Sequence, residues 1–449
     1  MQTAATIVAP ATPTGVSALA VVRVSGPAVA VVLLDVLQKD ITKVAPRAML
    51  RAIAKDPRTS DRLDDLLFSY FPGPKSYTGE DVLELFPHGN PLLVRQLVDA
   101  IRSVAGVRMA EPGEFTRRAF EAGKMDLVQA EAIGQLLHAT VDSGIRNAQR
   151  LLEGRLSLQI RSLATSVKEI SALLELEVDF AEEEADADSA KWLSRLQDIE
   201  KQLHSLKQNF RSAAAENKTP SVVFYGAPNA GKSSLVNALL QDDRLLVSPH
   251  AGTTRDVVEV LLLLDRGEIR LLDTAGISSI AVDDLDAAAQ RKSHQRIAQA
   301  DLAIFLVDCS QMENPEVKEQ MDQATASGHW VLGTKLDICA QQSKINSPKV
   351  SSLTGDGIPE FLAMIQDHLF PQNSEQEEYW VSSERQLASL ELALLGIRRA
   401  LAHIETNRHA PEELAFELLS VRNHLSEITG QISTDEILDV VFQNFCIGK

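Results

Sequence analysis

This sequence offers almost nothing with which to staple a fold or anchor it in a lipid bilayer. Its 449 residues include only three cysteines, Cys309, Cys339 and Cys446, and no two of them stand at close metal-ligand spacing. That argues against a disulfide framework and a cysteine zinc site, and for a reducing compartment. No apolar run approaches the roughly 18–20 residues of a helical span. A basic leader is also missing, and Pro10 and Pro13 interrupt the first apolar stretch. A cytoplasmic chain is therefore expected rather than a secreted one. Positive charge is in deficit too: 44 Lys and Arg face 62 Asp and Glu, a net charge of −18. The overall field then opposes binding to nucleic acid, and any RNA contact needs a local basic patch or a partner's surface. No short internal repeat is present.

What is there is an ordinary globular composition, 45% hydrophobic, long enough for two to four domains at roughly 100–200 residues each. Residues 1–120 mix strand-like runs with turns. Ala18 to Val24 is apolar and β-branched and stops at Gly26-Pro27, Pro72-Gly73-Pro74 marks a turn, and Leu92 to Val104 reads as an amphipathic helix. This alternation predicts an α+β or α/β domain. From residue 121 the texture is helical. Leu156, Ile160, Leu163, Val167, Ile170 and Leu174 recur at helical spacing and predict one face of a bundle helix. The acidic run Glu182 to Asp188 reads as a solvated loop. A helix over Trp192 to Asn209 leads into the linker-like stretch Ala213 to Pro220.

Residues 217–371 alternate strand and helix. Val222–Tyr225, Val258–Leu264, Ile269–Leu272, Leu302–Val307 and Trp330–Gly333 are the strand candidates, and their spacing predicts a doubly wound sheet. Residues 372–449 return to helix, with a second stripe at Leu387, Leu390, Leu394, Ile397 and Leu401. The simplest arrangement is one helical domain (121–216 and 372–449) interrupted by an inserted nucleotide domain.

Gly226-Ala227-Pro228-Asn229-Ala230-Gly231-Lys232-Ser233, followed by Ser234, fits a phosphate-binding loop between an apolar strand and a helix. The glycines let backbone N–H groups turn toward phosphates, and the helix N-terminus adds positive character. Lys232 is placed to reach the β- and γ-phosphates, and Ser233 to ligate Mg²⁺. Downstream, Gly252 to Asp256 contains Thr254, a candidate switch threonine closing on Mg²⁺. Asp273-Thr274-Ala275-Gly276 would hold the magnesium shell through Asp273 and sense the γ-phosphate through the Gly276 N–H. In Thr334-Lys335-Leu336-Asp337, the Asp337 carboxylate can accept two hydrogen bonds from guanine N1 and N2, which adenine does not offer, so the ligand expected is GTP. Ser351-Ser352-Leu353 suits a loop closing over the base.

With these residues in view, the chain resembles the tRNA modification GTPase family called MnmE or TrmE over nearly its whole length. Four further stretches carry the resemblance. They are Thr6 to Pro13 with Arg23 to Pro27; Tyr77 to Glu84; Glu111 to Phe120 continuing to Lys124-Met125-Asp126-Leu127; and Phe445-Cys446-Ile447-Gly448-Lys449. The resemblance implies a multidomain α/β and α protein: an N-terminal α+β folate-binding and dimerisation domain, a discontinuous helical domain, and an inserted Ras-like α/β G domain. It implies a homodimer working with the FAD-containing partner MnmG (GidA) in a heterotetramer. Together they would place an aminomethyl or carboxymethylaminomethyl group on C5 of the wobble uridine of certain tRNAs. The one-carbon unit would come from 5-formyl- or 5,10-methylene-tetrahydrofolate. By motif, Arg23, Glu80, Lys124 and Lys449 fall at the folate site, and Cys446 matches the terminal cysteine associated with modification. The family hydrolyses GTP with K⁺ rather than an arginine finger. Asn229 and the loop Ser248 to Thr253, including His250, occupy the matching positions. Asp286 aligns with the water-orienting acid of the second switch, usually Glu. Thr334 stands where the usual GTPase motif has Asn, Gly15-Val16-Ser17-Ala18 stands where the family tends to have a glycine- and arginine-rich turn, and Ser278-Ser279 where it often has Arg-Glu. A ribosome-assembly or RNA-binding switch GTPase, a folate-dependent one-carbon enzyme merely regulated by GTP, and a GTP-binding adaptor stay open as alternatives.

Overall fold

Side chains alternating between the two faces of its strands explain how the N-terminal sheet builds one core. Val8, Val22, Val24, Ala52, Leu66, Phe68, Leu83 and Leu85 all turn to one interior. The computed structural model describes residues 5–179, 189–212, 218–241, 247–249, 259–272, 295–339, 347–371, 379–405, 411–443 and 445–448. The N-terminal strands are β1 (Thr6–Pro10), β2 (Ser17–Leu19), β3 (Val22–Ser25), β4 (Leu50–Lys55), β5 (Arg62–Phe71), β6 (Val82–Phe86), β7 (His88–Gly89) and β8 (Val107–Met109). Six of them make a sheet in the order β4-β5-β6-β3-β1-β8, antiparallel throughout except for the parallel pair β1 and β8. Helices Val29–Leu37 and Pro91–Arg102 bury apolar faces in its core. The run expected as one strand over Ala18 to Val24 is two. Its first part leaves the main sheet to pair with β7, and the Ala20 N–H bonds to Pro87 O at 2.9 Å at the switch.

The helical part follows its stripes. Leu156, Ile160, Leu163, Val167, Ile170 and Leu174 on helix Arg155–Asp179 all lie in one core. That core also takes up helices Ser189–Gln208, Glu384–Glu405 and Pro411–Thr429. Each buried Leu or Ile contributes about 1.5–3 kcal/mol relative to exposure. Gly396 lets two helices close: a Cβ there would meet Val421 Cγ2 at 2.6 Å. Leu387 is the exception in its stripe. It is only half-buried, and Gln386 turns inward instead to donate to Glu131 Oε2 at 2.5 Å. Among the described residues no helix is long and apolar enough to cross a membrane.

The chain divides into two compact units: Met1–Leu137, Ala148–Ser212 and Tyr379–Lys449 form one, His138–Asn147 and Ala213–Glu378 the other. The second unit contains strands β9 (Ser221–Gly226), β10 (Val247–Pro249), β11 (Glu259–Leu264), β12 (Gly267–Leu272), β13 (Leu302–Asp308) and β14 (Trp330–Thr334). Their order is β10-β11-β12-β9-β13-β14. β9, β13 and β14 run parallel, β12 joins β9 in parallel, and β10 and β11 are antiparallel additions. The five strands expected here all form; the short β10 carried too little pattern to be foreseen. A segment that reads as helical by sequence also belongs to this unit: Thr140 O accepts from Glu268 N at 2.8 Å and Asp142 N donates to Arg266 O at 2.9 Å. Because β12 and β13 lie on opposite sides of β9, the loop after β9 opens at the point where strand order reverses, the usual place for a ligand in such sheets.

Candidate functional site

The loop leaving β9 owes its shape to three residues with positive φ: Gly226 at 146°, Asn229 at 64° and Gly231 at 84°. Gly226 admits no side chain, since a Cβ there would fall 2.4 Å from Leu306 O of the neighbouring strand. Helix Lys232–Gln241 starts directly after the loop, and the Leu235 N–H closes onto Gly231 O at 2.8 Å. The N–H groups of its first turn are therefore free of helical partners. Lys232 folds back across the loop, donating from Nζ to Gly226 O at 2.8 Å and Ala227 O at 2.9 Å. Partial burial lowers its ammonium below the ordinary lysine value. Asn229, Ser233 and Ser234 are exposed at the mouth, while Ala230 is buried beneath it.

The end of β14 is tied to this loop by one side chain. Thr334, 1% exposed, places Oγ1 2.8 Å from Ala230 O and 3.2 Å from Val307 O. Its hydroxyl thus holds the phosphate loop against the strand end. Lys335 then turns left-handed (φ 56°) and its Nζ pairs with Asp308 Oδ2 at 2.8 Å. Burial alone would raise the Asp308 carboxyl, but the Lys335 and Ser310 hydrogen bonds prevail and hold it below the usual value. Asp337 is exposed apart from one contact, the buried Ser351 Oγ donating to its Oδ1 at 2.6 Å. Ser351 Oγ also accepts from Thr354 N at 3.2 Å and Leu353 N at 3.3 Å, so it fixes both the carboxylate and its own loop. Ser352 is half-exposed, and Leu353 stands 83% exposed beside it. A cleft of about 220 Å³ runs from Asn229 and Ala230 to Asp308 and Lys335.

The structure thus brings together Asn229 to Ser234, Thr334, Lys335, Asp337, Ser351 and Ser352. Ser248 lies in β10 opposite Leu261. His250, Thr253, Thr254, Asp273, Thr274, Ala275, Gly276, Asp286 and Lys449 lie outside the described residues.

A second polar cluster lies in the other unit, against the N-terminal sheet. Arg23 pairs with Glu84 at 2.9 Å, lies over the rings of Tyr77 (5.4 Å) and Phe115 (5.7 Å), and donates from Nη1 to Gly448 O at 3.3 Å. Glu80 accepts from Ser25 Oγ at 2.7 Å and from Arg118 at 3.0 Å. Arg118 also pairs with Glu114 at 2.8 Å, and Arg108 takes the same carboxylate. Lys124 is exposed, and its Nζ donates to Pro74 O. Cys446 is exposed but held at both sides. Phe445 is buried with Leu438 and Phe442, and at Gly448 (φ 101°) a Cβ would meet Pro10 O at 2.1 Å. The sequence reading missed Arg118, Tyr77 and Phe115 as members of this cluster. They lie inside the quoted motifs, but only the fold shows that Arg118 already matches Glu80 and that Arg23 already matches Glu84.

Comparison with known proteins covers nearly the whole chain. Two family models match: the GTP-binding protein TrmE N-terminus over residues 6–124 and the MnmE helical domain over residues 127–446. A tRNA modification GTPase MnmE of Vibrio parahaemolyticus is 36% identical, covering 100% of both chains. That of Aquifex aeolicus is 34% identical over 99% of each, and that of Chlorobium chlorochromatii 34% over 99% of this chain and 98% of its own. Among solved structures, the G domain of the T. maritima FeoB iron transporter overlaps 34% of this chain and 99% of its own, at 25% identity and a TM-score of 0.26. By the breadth of the sequence matches, the chain belongs to the MnmE family of tRNA modification GTPases.

Proposed function

We propose that the second unit binds and hydrolyses GTP, and that the hydrolysis drives a modification at C5 of the wobble uridine of certain tRNAs. One observation carries the nucleotide reading. The Thr334 hydroxyl joins the phosphate loop to the strand end bearing Asp337, so a phosphate cradle and a guanine-reading carboxylate belong to one site. Backbone N–H groups of Asn229 to Ser233 bind the phosphates, and Lys232 exchanges its loop carbonyls for β- and γ-phosphate oxygens. Asp337, oriented by Ser351, accepts from guanine N1 and N2.

The exposed Ser233 hydroxyl at the helix start fits a hard cation, joined in this reading by Thr254 and Asp273. Mg²⁺ would neutralise phosphate charge there. Asn229, exposed and held at positive φ, offers a side-chain oxygen for K⁺, joined in this reading by Ser248, His250 and Thr253. K⁺ would supply positive charge as it is needed in the transition state, on dimerisation of two G domains. Asp286 orients the attacking water.

In the other unit, the TrmE N-terminus match supports a tetrahydrofolate site around Arg23, Glu80 and Lys124, with Lys449 at its edge and Cys446 serving the modification step. A homodimer acting with MnmG (GidA) in a cytoplasmic heterotetramer completes the reading. The test has two arms. GTP turnover should be faster in K⁺ than in Na⁺ and be lost in Lys232→Ala; equal rates would remove the K⁺ mechanism, and turnover in Lys232→Ala would remove the site. Mass analysis of wobble uridines from cells lacking the protein should show C5 groups missing; unchanged modification would overturn the tRNA role.

A further inference from the structure

Two cysteines far apart in sequence meet beside the base-reading loop. Asp308 pairs with Thr334 in the parallel register of β13 and β14, so the chain leaves both strands side by side. Each exit is a single 3₁₀ turn, Cys309–Gln311 and Leu336–Ile338, and Cys339 ends the second. Cys309 is buried, and a Cβ on Gly333 would meet its Sγ at 2.8 Å, so the sulfur rests on the backbone just before Thr334. Cys339, partly exposed, packs against the apolar cluster that contains Cys309 and Met312. The two thiols are hydrogen-bonded; burial first, and then this neighbour, push Cys309 up to about 12. Cys309 alone is therefore inert, and Cys339 is the thiol an external reagent reaches.

We propose that Cys309 and Cys339 form a reversible disulfide that loosens the guanine-nucleotide site. The proposal rests on the nucleotide reading of that site. The oxidant is a low-molecular-weight disulfide. Cys339, as thiolate, attacks one of its sulfurs; that sulfur–sulfur bond breaks and one thiolate leaves. Cys309 then gives its proton to the thiolate that has left and attacks the Cys339 sulfur, which expels the second thiolate and forms the protein disulfide. Two protein thiols are oxidised, one external disulfide becomes two thiols, and the two protons released end on them. A hydrogen-bonded thiol pair is wider than the roughly 2.05 Å of a sulfur–sulfur bond. Closing it draws the Leu336–Ile338 turn toward β13. That turn is flanked by the Lys335–Asp308 pair and includes Asp337, which Ser351 holds. In a reducing compartment the thiols persist, and the bond forms only under oxidative load.

The test uses the full chain equilibrated with glutathione disulfide, digested without reductant and mapped by mass spectrometry, with mant-GDP affinity read on the same sample. A Cys309–Cys339 linked peptide is expected, with affinity at least about tenfold weaker and restored by dithiothreitol. Cys339→Ser under the same oxidant should stay within about twofold of its reduced affinity. Absence of the linked peptide overturns the proposal, as does linked protein that binds as tightly as reduced protein. Reduced protein that fails to bind mant-GDP at all overturns the nucleotide reading and the coupling with it. The peptide map separates that result from failure of the pair to close.

Discussion

In the phosphate loop, positive character comes from the backbone. Gly226, Asn229 and Gly231 bend the chain at positive φ, and the lone cation, Lys232, rests on two carbonyls rather than on a carboxylate. Around Arg23 the charge comes from side chains, each met by an acid: Arg23 by Glu84, Arg118 by Glu80 and Glu114, Arg108 by Glu114. The first arrangement lacks an anion and is shaped to receive one. The second is internally neutralised, so a ligand there, as proposed, would compete with ion pairs already made and gain mainly from shape, from the Tyr77 and Phe115 rings, and from hydrogen bonds. The two sites should therefore fail differently when a single residue is changed.

The largest expected effect is at Gly226. Gly226→Ala places a methyl 2.4 Å from Leu306 O at a φ of 146° that L-residues rarely adopt. The loop must rebuild, and mant-GDP affinity should fall at least ~100-fold, about 3 kcal/mol. Amide hydrogen exchange in Thr6–Pro10 should not change. Near-normal affinity would mean that the backbone is not what makes the cradle.

Next in size is Arg118→Gln, which acts on stability and not on nucleotide. Arg118 and Glu114 are each 10% exposed, and removing the cation leaves Glu80 and Glu114 without their shared partner. A loss of about 2–3 kcal/mol is expected, the cost of breaking a largely buried pair, with mant-GDP affinity unmoved. The pH dependence has a definite sign. Burial would raise Glu114, but donors from Arg108, the Glu111 N–H and Arg118 outweigh it and hold the carboxyl below 4.5. Its contribution is thus present above pH 4.5 and lost as pH falls through the lowered folded value. In the variant the depression shrinks, so acid unfolding of the N-terminal sheet, followed by urea titration at several pH values, should begin at a higher pH than in the parent. An identical acid limb would show that Arg118 does not hold the Glu114 carboxylate.

The same contrast explains what could be read in advance. A site made by backbone lies within a few consecutive residues, so Gly226 to Ser233 carried its own signature. The strands of its sheet, and the helix stripes from Leu156 to Leu174, follow from local periodicity. A site made by side chains gathers residues from across the chain. That Arg23 would meet Gly448 O, or Glu80 would meet Arg118, is a property of the closed fold with no local trace. Cys309 and Cys339 were likewise invisible as a pair, because only the parallel register of β13 and β14 joins them. Leu387 left its stripe for a similar reason: the buried Gln386 had a partner, Glu131, on a helix that no periodicity could name.

The smallest effect probes the link between cradle and base loop. The Thr334 hydroxyl has one proton for two carbonyls, at 2.8 and 3.2 Å. The shorter bond, to Ala230 O, bears on the loop. Thr334→Val keeps the β-branched shape that suits the strand and removes only the donor. A hydrogen bond of this kind contributes about 1 kcal/mol net, with a further cost for any buried acceptor left unmatched. Mant-GDP affinity should then fall about tenfold, with selectivity over mant-ADP retained because Asp337 and Ser351 are untouched. Thr334→Asn, whose amide has two N–H donors, can serve both carbonyls and should restore affinity to within about threefold. If Val binds as tightly as Thr, the glycines alone position the loop. If Val also loses the preference for guanine, the hydroxyl orients the Asp337 turn as well, and a single side chain shapes a site otherwise made by backbone.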